Sequence, residues 1–164
     1  MIVRAAETSD WPAIVALYNR YVSASSCTFD VEPYTVETRK PWLQQFNQAG
    51  RYRLLVAFDG ERLAGYAGSL RYRSKAAYET SVEVTCYVAD EAQGRGVASA
   101  LYASLFEALR GEDLHRALAG ITLPNDPSIA LHRRFGFREV GRFSEQGRKL
   151  GRYWDVLWME RPLP

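Results

Sequence analysis

The sequence predicts an α/β fold built on a mixed sheet with only a few helices. Three observations carry that expectation. Apolar side chains alternate strictly from Glu79 to Val88. An apolar stripe at helical spacing runs through Val97, Ala98, Leu101, Leu105 and Leu109. The segments succeed one another in the order β-α-α-β-β-β-α-β-α-β-β.

Ile2 to Ala5 is a short strand. Thr8, Ser9 and Asp10 then offer capping oxygens, Pro12 suits a first helical turn, and Ile14, Leu17, Tyr18, Tyr21 and Val22 recur at helical spacing, which predicts the first helix. Val36, Trp42, Leu43 and Phe46 predict a second helix within Thr35 to Gln48, with Pro41 shortening or offsetting its beginning. Tyr52 to Phe58 and Leu63 to Tyr72 are strands joined by the Asp59-Gly60-Glu61 turn. In the alternating strand Val82, Val84, Cys86 and Val88 share one face, and Ser81, Glu83, Thr85 and Tyr87 share the other. The third helix ends near Gly111. Arg116 to Leu123 is a strand, and Asn125-Asp126-Pro127-Ser128 starts a fourth helix that Gly136 ends. Phe137 to Phe143 and Tyr153 to Met159 complete the set as strands.

At 164 residues the chain is expected to be a single domain, 1–164, and a chain of this size buries about 69% of its unfolded surface. With 47% apolar and 24% charged residues, disorder and low-complexity architectures are excluded. The net charge of +2 gives no electrostatic reason to expect a nucleic-acid partner. Ser128 to Pro164 nevertheless holds eight basic residues against four acidic ones, a balance that suits a small polyanion better than a duplex. Cys27 and Cys86 are too few for a disulfide framework, and no metal-type spacing occurs, so reduced thiols and no metal are expected. Without a signal-type leader or an apolar stretch of roughly 18 residues, a cytoplasmic location and no membrane partner are expected.

The sharpest motif is Gln93-Gly94-Arg95-Gly96-Val97-Ala98, set between the alternating strand and the third helix. Its glycines let backbone approach a ligand closely, and successive N–H groups at a helix start make an anion cradle suited to a phosphate ester. No Gly-Lys-Ser/Thr follows and only two glycines fit a dinucleotide fingerprint. Taken alone, the hexapeptide could equally be a tight packing turn.

Gln93, Gly96 and Ala98 after a strand, then Pro124-Asn125, then Leu131-His132-Arg133-Arg134-Phe135-Gly136-Phe137, resemble the GCN5-related N-acetyltransferase (GNAT) superfamily. Tyr18-Asn19, Thr28-Phe29, Tyr78, Val82-Glu83, Tyr87-Val88, Leu131-His132 and Lys149-Leu150-Gly151-Arg152-Tyr153 with Asp155-Val156 extend the resemblance, over nearly the whole chain, to its phosphinothricin acetyltransferase branch. The resemblance implies a mixed, largely antiparallel sheet of about seven strands flanked by about four helices. It also implies acetyl-CoA as co-substrate, a homodimer, and acetylation of the α-amino group of small amino acids of the phosphinothricin, methionine sulfone or methionine sulfoximine type. The pyrophosphate would sit on Gln93, Gly94, Arg95, Gly96, Val97 and Ala98, and the pantetheine arm would pair along Val84 to Val88.

Chemistry assigns roles within that frame. An α-amino group, with an ordinary pKa of about 7.7–8.0, must lose a proton before it attacks a thioester. Glu83, a carboxylate at mid-strand, is the candidate base, and an ion pair with Arg73 or Lys75 is its alternative use. His132 is the candidate proton shuttle for the amine or the departing thiolate. Asn125 either caps its helix or hydrogen-bonds pantetheine, and Tyr87 either lines the sheet or orients the thioester. Arg73 first, and Lys75, are candidates to hold a substrate carboxylate, with Tyr78, Thr28 and Phe29 shaping the pocket. Tyr72, Lys75, Arg148 and Trp154 depart from the branch pattern, all on the acceptor side. Rival functions are acetylation of protein N-termini or polyamines, and an acyl-CoA-sensing module without turnover.

Overall fold

Alternation produces seven strands and helical stripes produce four helices in the computed structural model, which describes residues 1–164. The strands are β1 (Ile2–Ala5), β2 (Leu54–Asp59), β3 (Arg62–Arg71), β4 (Ser81–Val88), β5 (Arg116–Thr122), β6 (Arg138–Lys149) and β7 (Arg152–Pro162). They form one sheet in the order β1-β2-β3-β4-β5-β7-β6. Every neighbouring pair is antiparallel except β4 and β5, as the mixed sheet required.

The helices α1 (Trp11–Ala24), α2 (Val36–Leu43), α3 (Val97–Ala108) and α4 (Asp126–Arg134) join these strands. Tyr66 of β3 and Tyr87 of β4 are register partners and pack on Trp42, Tyr18 and Tyr21, which puts α1 and α2 over that face. Gly65 points the opposite way, toward Leu101, so α3 covers the other face. Leu101, Tyr102 and Leu105 are wholly buried there, each contributing roughly 1.5–3 kcal/mol of transfer free energy.

Four local details differ from expectation. Thr35 caps α2 through a reciprocal bond with Thr38, and Pro41 lies inside the helix rather than near its start. Lacking an N–H, it leaves the Glu37 carbonyl without its helical donor, and the chain relaxes into weaker short-range bonds after Leu43, well before Gln48. Asp10 does not cap α1. Its carboxylate is taken by a two-pronged pair with Arg4, at 2.7 and 2.8 Å, and by the Glu7 amide. β4 begins at Ser81, because a short 3-10 turn occupies Ala76–Tyr78. β6 runs on to Lys149 instead of stopping at Phe143. As an exposed edge strand with a register shift between Phe143 and Gly147, it has one row of neighbours to satisfy and carries no apolar alternation to announce it.

One feature of the sheet creates the site. The parallel pairing of β4 and β5 holds only at Ser81↔Arg116, Val82↔Ala117 and Glu83↔Leu118. Past that point the strands part, and a cleft of about 1290 Å³ opens between them and runs to the start of α3.

Candidate active site

At one end of the cleft lies the glycine-rich turn. Gly94 and Gly96 have φ of +72° and +79°, a left-handed conformation that favours glycine, and Gly96 is the residue from which α3 departs. The amides from Gly94 to Ser99 find no acceptor in the chain, while Ala100 resumes helical bonding to Gly96. A run of unpaired N–H groups at the positive end of a helix fits a diphosphate, with the dipole contributing about 0.3–1 kcal/mol per anion. A Cβ on either glycine would meet no protein atom, so the space before the turn is open.

Glu83 lies where the strands part, between Leu70 of β3 and Leu118 of β5. It lines the cleft and makes no ion pair, so the alternative use for this carboxylate is not realised in the fold. Burial pushes its carboxyl above the usual carboxylate range, while the charge of Arg73 opposes the shift. A carboxyl desolvated in this way is a stronger base when ionised.

Thr28 and Phe29 also line the cleft. The Thr28 hydroxyl meets the Tyr18 hydroxyl at 2.6 Å, and burial beside Asp30 pushes the Tyr18 phenol up to about 12. Tyr87 packs edge-on against Tyr18 and Tyr21 at 5.2 and 5.0 Å, and burial raises its phenol strongly. The Val88 carbonyl, at the last residue of β4, accepts from the Tyr21 hydroxyl at 2.5 Å.

His132 is buried on the cleft wall. Its Nδ1 lies 2.7 Å from the Ser128 carbonyl, which can only accept, so Nδ1 carries the proton. Nε2 then accepts from the Tyr102 hydroxyl at 2.9 Å. Burial lowers the pKa of the ring, and the bond to Ser128 opposes that. Both ring nitrogens are therefore engaged within the protein, and His132 and Tyr102 line the cleft side by side. Asn125 caps α4, its side-chain oxygen accepting from the Ser128 amide at 3.2 Å, while its amide nitrogen reaches the Cys27 thiol at 3.6 Å on the cleft side. Burial raises the Cys86 thiol to about 12, which makes it a poor nucleophile.

The predicted residues divide. Thr28, Phe29, Glu83, Tyr87, Val88, Asn125 and His132 come together on the cleft with Gln93, Gly94, Gly96, Val97 and Ala98. Arg95 does not. Its guanidinium turns outward to Asp59 at 2.7 Å, leaving only its amide in the turn. Arg73, Lys75 and Tyr78 belong to the exposed segment between β3 and β4, outside the cleft wall. Arg73 lies over the Tyr72 ring and Tyr78 packs edge-on against it.

Sequence reasoning gave no role to Arg39 or Lys149. Arg39 enters the cleft inside a box of Tyr18, Tyr34 and Trp42 rings at 4.3–4.5 Å, with a 3.5 Å contact to Asp30. Lys149 is buried and donates to the carbonyls of Thr28 (2.8 Å) and Tyr21 (3.3 Å), with burial lowering its pKa. Only the tertiary fold brings these residues to the site.

A parted parallel strand pair, an open anion turn at a helix start and a desolvated glutamate on one cleft define an N-acetyltransferase. The family model described as an acetyltransferase (GNAT) domain matches residues 3–158, and the chain belongs to that family. It is 57% identical over 163 residues to the phosphinothricin N-acetyltransferase of Streptomyces coelicolor, covering 98% of this chain and 95% of that protein. It is 35% identical over 160 residues to the L-methionine sulfoximine/L-methionine sulfone acetyltransferase of Pseudomonas aeruginosa, covering 96% and 92%. Among solved structures, a phosphinothricin acetyltransferase from Sinorhizobium meliloti in complex with acetyl-CoA superposes with a TM-score of 0.91 at 30% identity, covering 99% of this chain and 88% of that one.

Proposed function

We propose that this N-acetyltransferase transfers the acetyl group of acetyl-CoA to the α-amino group of a small amino acid of the phosphinothricin, methionine sulfone or methionine sulfoximine type. The single observation carrying the proposal is the run of unpaired amides from Gly94 to Ser99, which opens on the same cleft as Glu83. The turn would hold the diphosphate, with Asn125 and the free edge of β4 along the thioester arm. The relatives named above support the acceptor class.

The amine attacks the thioester carbonyl directly in a ternary complex. Glu83 takes the amine's proton, through water, and the CoA thiol leaves with a proton of its own. That proton comes from solvent water, with His132 on the cleft wall as the shuttle, Nε2 receiving a proton before returning it. Arg73, whose charge acts on Glu83, and Lys75 hold the acceptor carboxylate, with Tyr78 shaping the pocket. Burial makes the Cys86 thiol a poor nucleophile for a covalent acyl-enzyme.

The same reading makes the protein a cytoplasmic homodimer of one-domain subunits. No helix is long and apolar enough to cross a membrane. Val140, Phe143, Leu150 and Tyr153 are exposed on the β6–β7 hairpin, an apolar surface of the kind a partner subunit covers.

The test is thiol release from acetyl-CoA over phosphinothricin, methionine sulfone, methionine sulfoximine, the proteinogenic amino acids, polyamines and peptides. Turnover confined to the first three supports the proposal. Turnover of peptides or polyamines instead would reassign the acceptor, and a flat response across the panel would favour the acyl-CoA-sensing alternative.

A further inference from the structure

Gly147 of β6 raises a question that its own backbone does not answer. Its φ lies outside the left-handed region, so the local conformation accepts any residue. Yet a Cβ built on it would lie 2.2, 2.5 and 2.6 Å from atoms of the Phe29 ring. The glycine is there for the ring. Phe29 and the neighbouring Gln146 both line the acceptor end of the cleft, so the ring that rests on Gly147 is also a wall of the substrate space.

Phe29 cannot answer a larger neighbour by moving its backbone. The preceding carbonyl, Thr28 O, accepts from Lys149 Nζ at 2.8 Å, two residues beyond Gly147 on the same strand. The Thr28 hydroxyl is held by Tyr18 at 2.6 Å and accepts from the Asp30 amide at 3.2 Å. One strand therefore clamps the loop through Lys149 and seats its ring through Gly147. A methyl group at 147 leaves ring rotation as the release, and the free volume on the ring's inner side is the cleft.

Resting on the acceptor class proposed above, we propose that Gly147 is a specificity-determining residue. It lets the Phe29 ring lie back against β6 and so keeps the acceptor end long enough for an amino acid with a side chain of methionine length.

The test uses Gly147→Ala, Phe29→Ala and the double variant in the full-length protein, with KM measured separately for methionine sulfone, phosphinothricin and acetyl-CoA. Gly147→Ala is expected to raise both acceptor KM values about tenfold while the acetyl-CoA KM holds. That penalty should vanish when Phe29 is already Ala, since the ring transmits it. An equal penalty in both backgrounds, or a change in acetyl-CoA KM alone, overturns the proposal. If Gly147→Ala does not fold, recovery of folded protein in the double variant supports it and failure to recover overturns it. Absence of turnover by the parent protein would refute the proposed acceptor class instead. The crystal structure of Gly147→Ala then decides the inference, supported by a ring rotated into the cleft and overturned by one swung out to solvent.

Discussion

Replacing Glu83 by Gln removes the base with the least change of shape. Glu83 and Asp90 are the carboxylates that line the cleft, and Asp90 belongs to the turn region at the phosphate end, so no second carboxylate stands ready at the acceptor end. The expected loss in kcat is therefore the usual general-base factor of about 10²–10⁴, or about 2.7–5.4 kcal/mol of barrier. Acetyl-CoA affinity, measured by calorimetry, should be unchanged. In the parent protein the ionised carboxylate is the active form, so kcat/KM should rise with pH through a pKa above that of an ordinary glutamate, as burial dictates. Arg73→Ala removes the opposing positive charge and should move that acid limb further up. The linkage sign gives an independent check. Because the folded pKa is raised, the folded state binds more protons between the unfolded and folded values, and stability falls as pH rises through that window. Glu83→Gln should thus raise Tm at neutral pH while lowering the rate. Equal rates for the variant, or an acid limb that moves down in Arg73→Ala, would refute the reasoning.

Gly96→Asp strains a left-handed position by about 1–2 kcal/mol and sets a negative charge against the phosphates, so the Kd for CoA should weaken by about tenfold or more in calorimetry. If His132 is the proton shuttle, His132→Ala should lower kcat at the low end of the usual ~10²–10⁴ because a thiol's ordinary pKa of about 8.5 is already near neutrality. An unchanged kcat in His132→Ala would remove His132 from the mechanism. Asp10→Ala removes the acceptor of the Arg4 and Glu7 bonds and should cost about 1–3 kcal/mol, a fall of roughly 2–12 °C in Tm. Arg4 holds the Asp10 carboxyl below its usual range, so that contribution is present at neutral pH and lost as pH falls below about 4 through the folded pKa. A parent and variant that melt alike at neutral pH but differ at pH 3 would contradict it.

The parts of the fold legible in the sequence are those written in short-range pattern. Alternation placed Glu83 and Tyr87 on one face of β4, and the two glycines before Val97 marked the anion turn. Periodicity is silent where one strand edge faces solvent, which is why β6 ran past its expected end, and where a proline is carried inside a helix, as Pro41 is in α2. Arg39, Lys149 and Gly147 were illegible for a different reason. Arg39 is held by Tyr18 on another helix as well as by its near neighbours Tyr34 and Trp42, Lys149 and Gly147 act on Thr28 and Phe29 far away in the chain, and nothing in the local spelling of Gln146-Gly147-Arg148-Lys149 distinguishes it from a solvated hairpin. Arg95 is the converse case, a motif residue whose side chain is claimed by a neighbouring turn.

The early divergence of β4 from β5 also bears on when the molecule is sturdiest. A sheet left unzipped midway lacks a rung, and whatever settles in the gap completes the architecture as well as entering the chemistry. Occupancy and folding then become a single equilibrium. The two arms of the gap would be stiffest during the catalytic cycle and loosest between rounds, so heat or proteases would find their opening chiefly in the emptied enzyme.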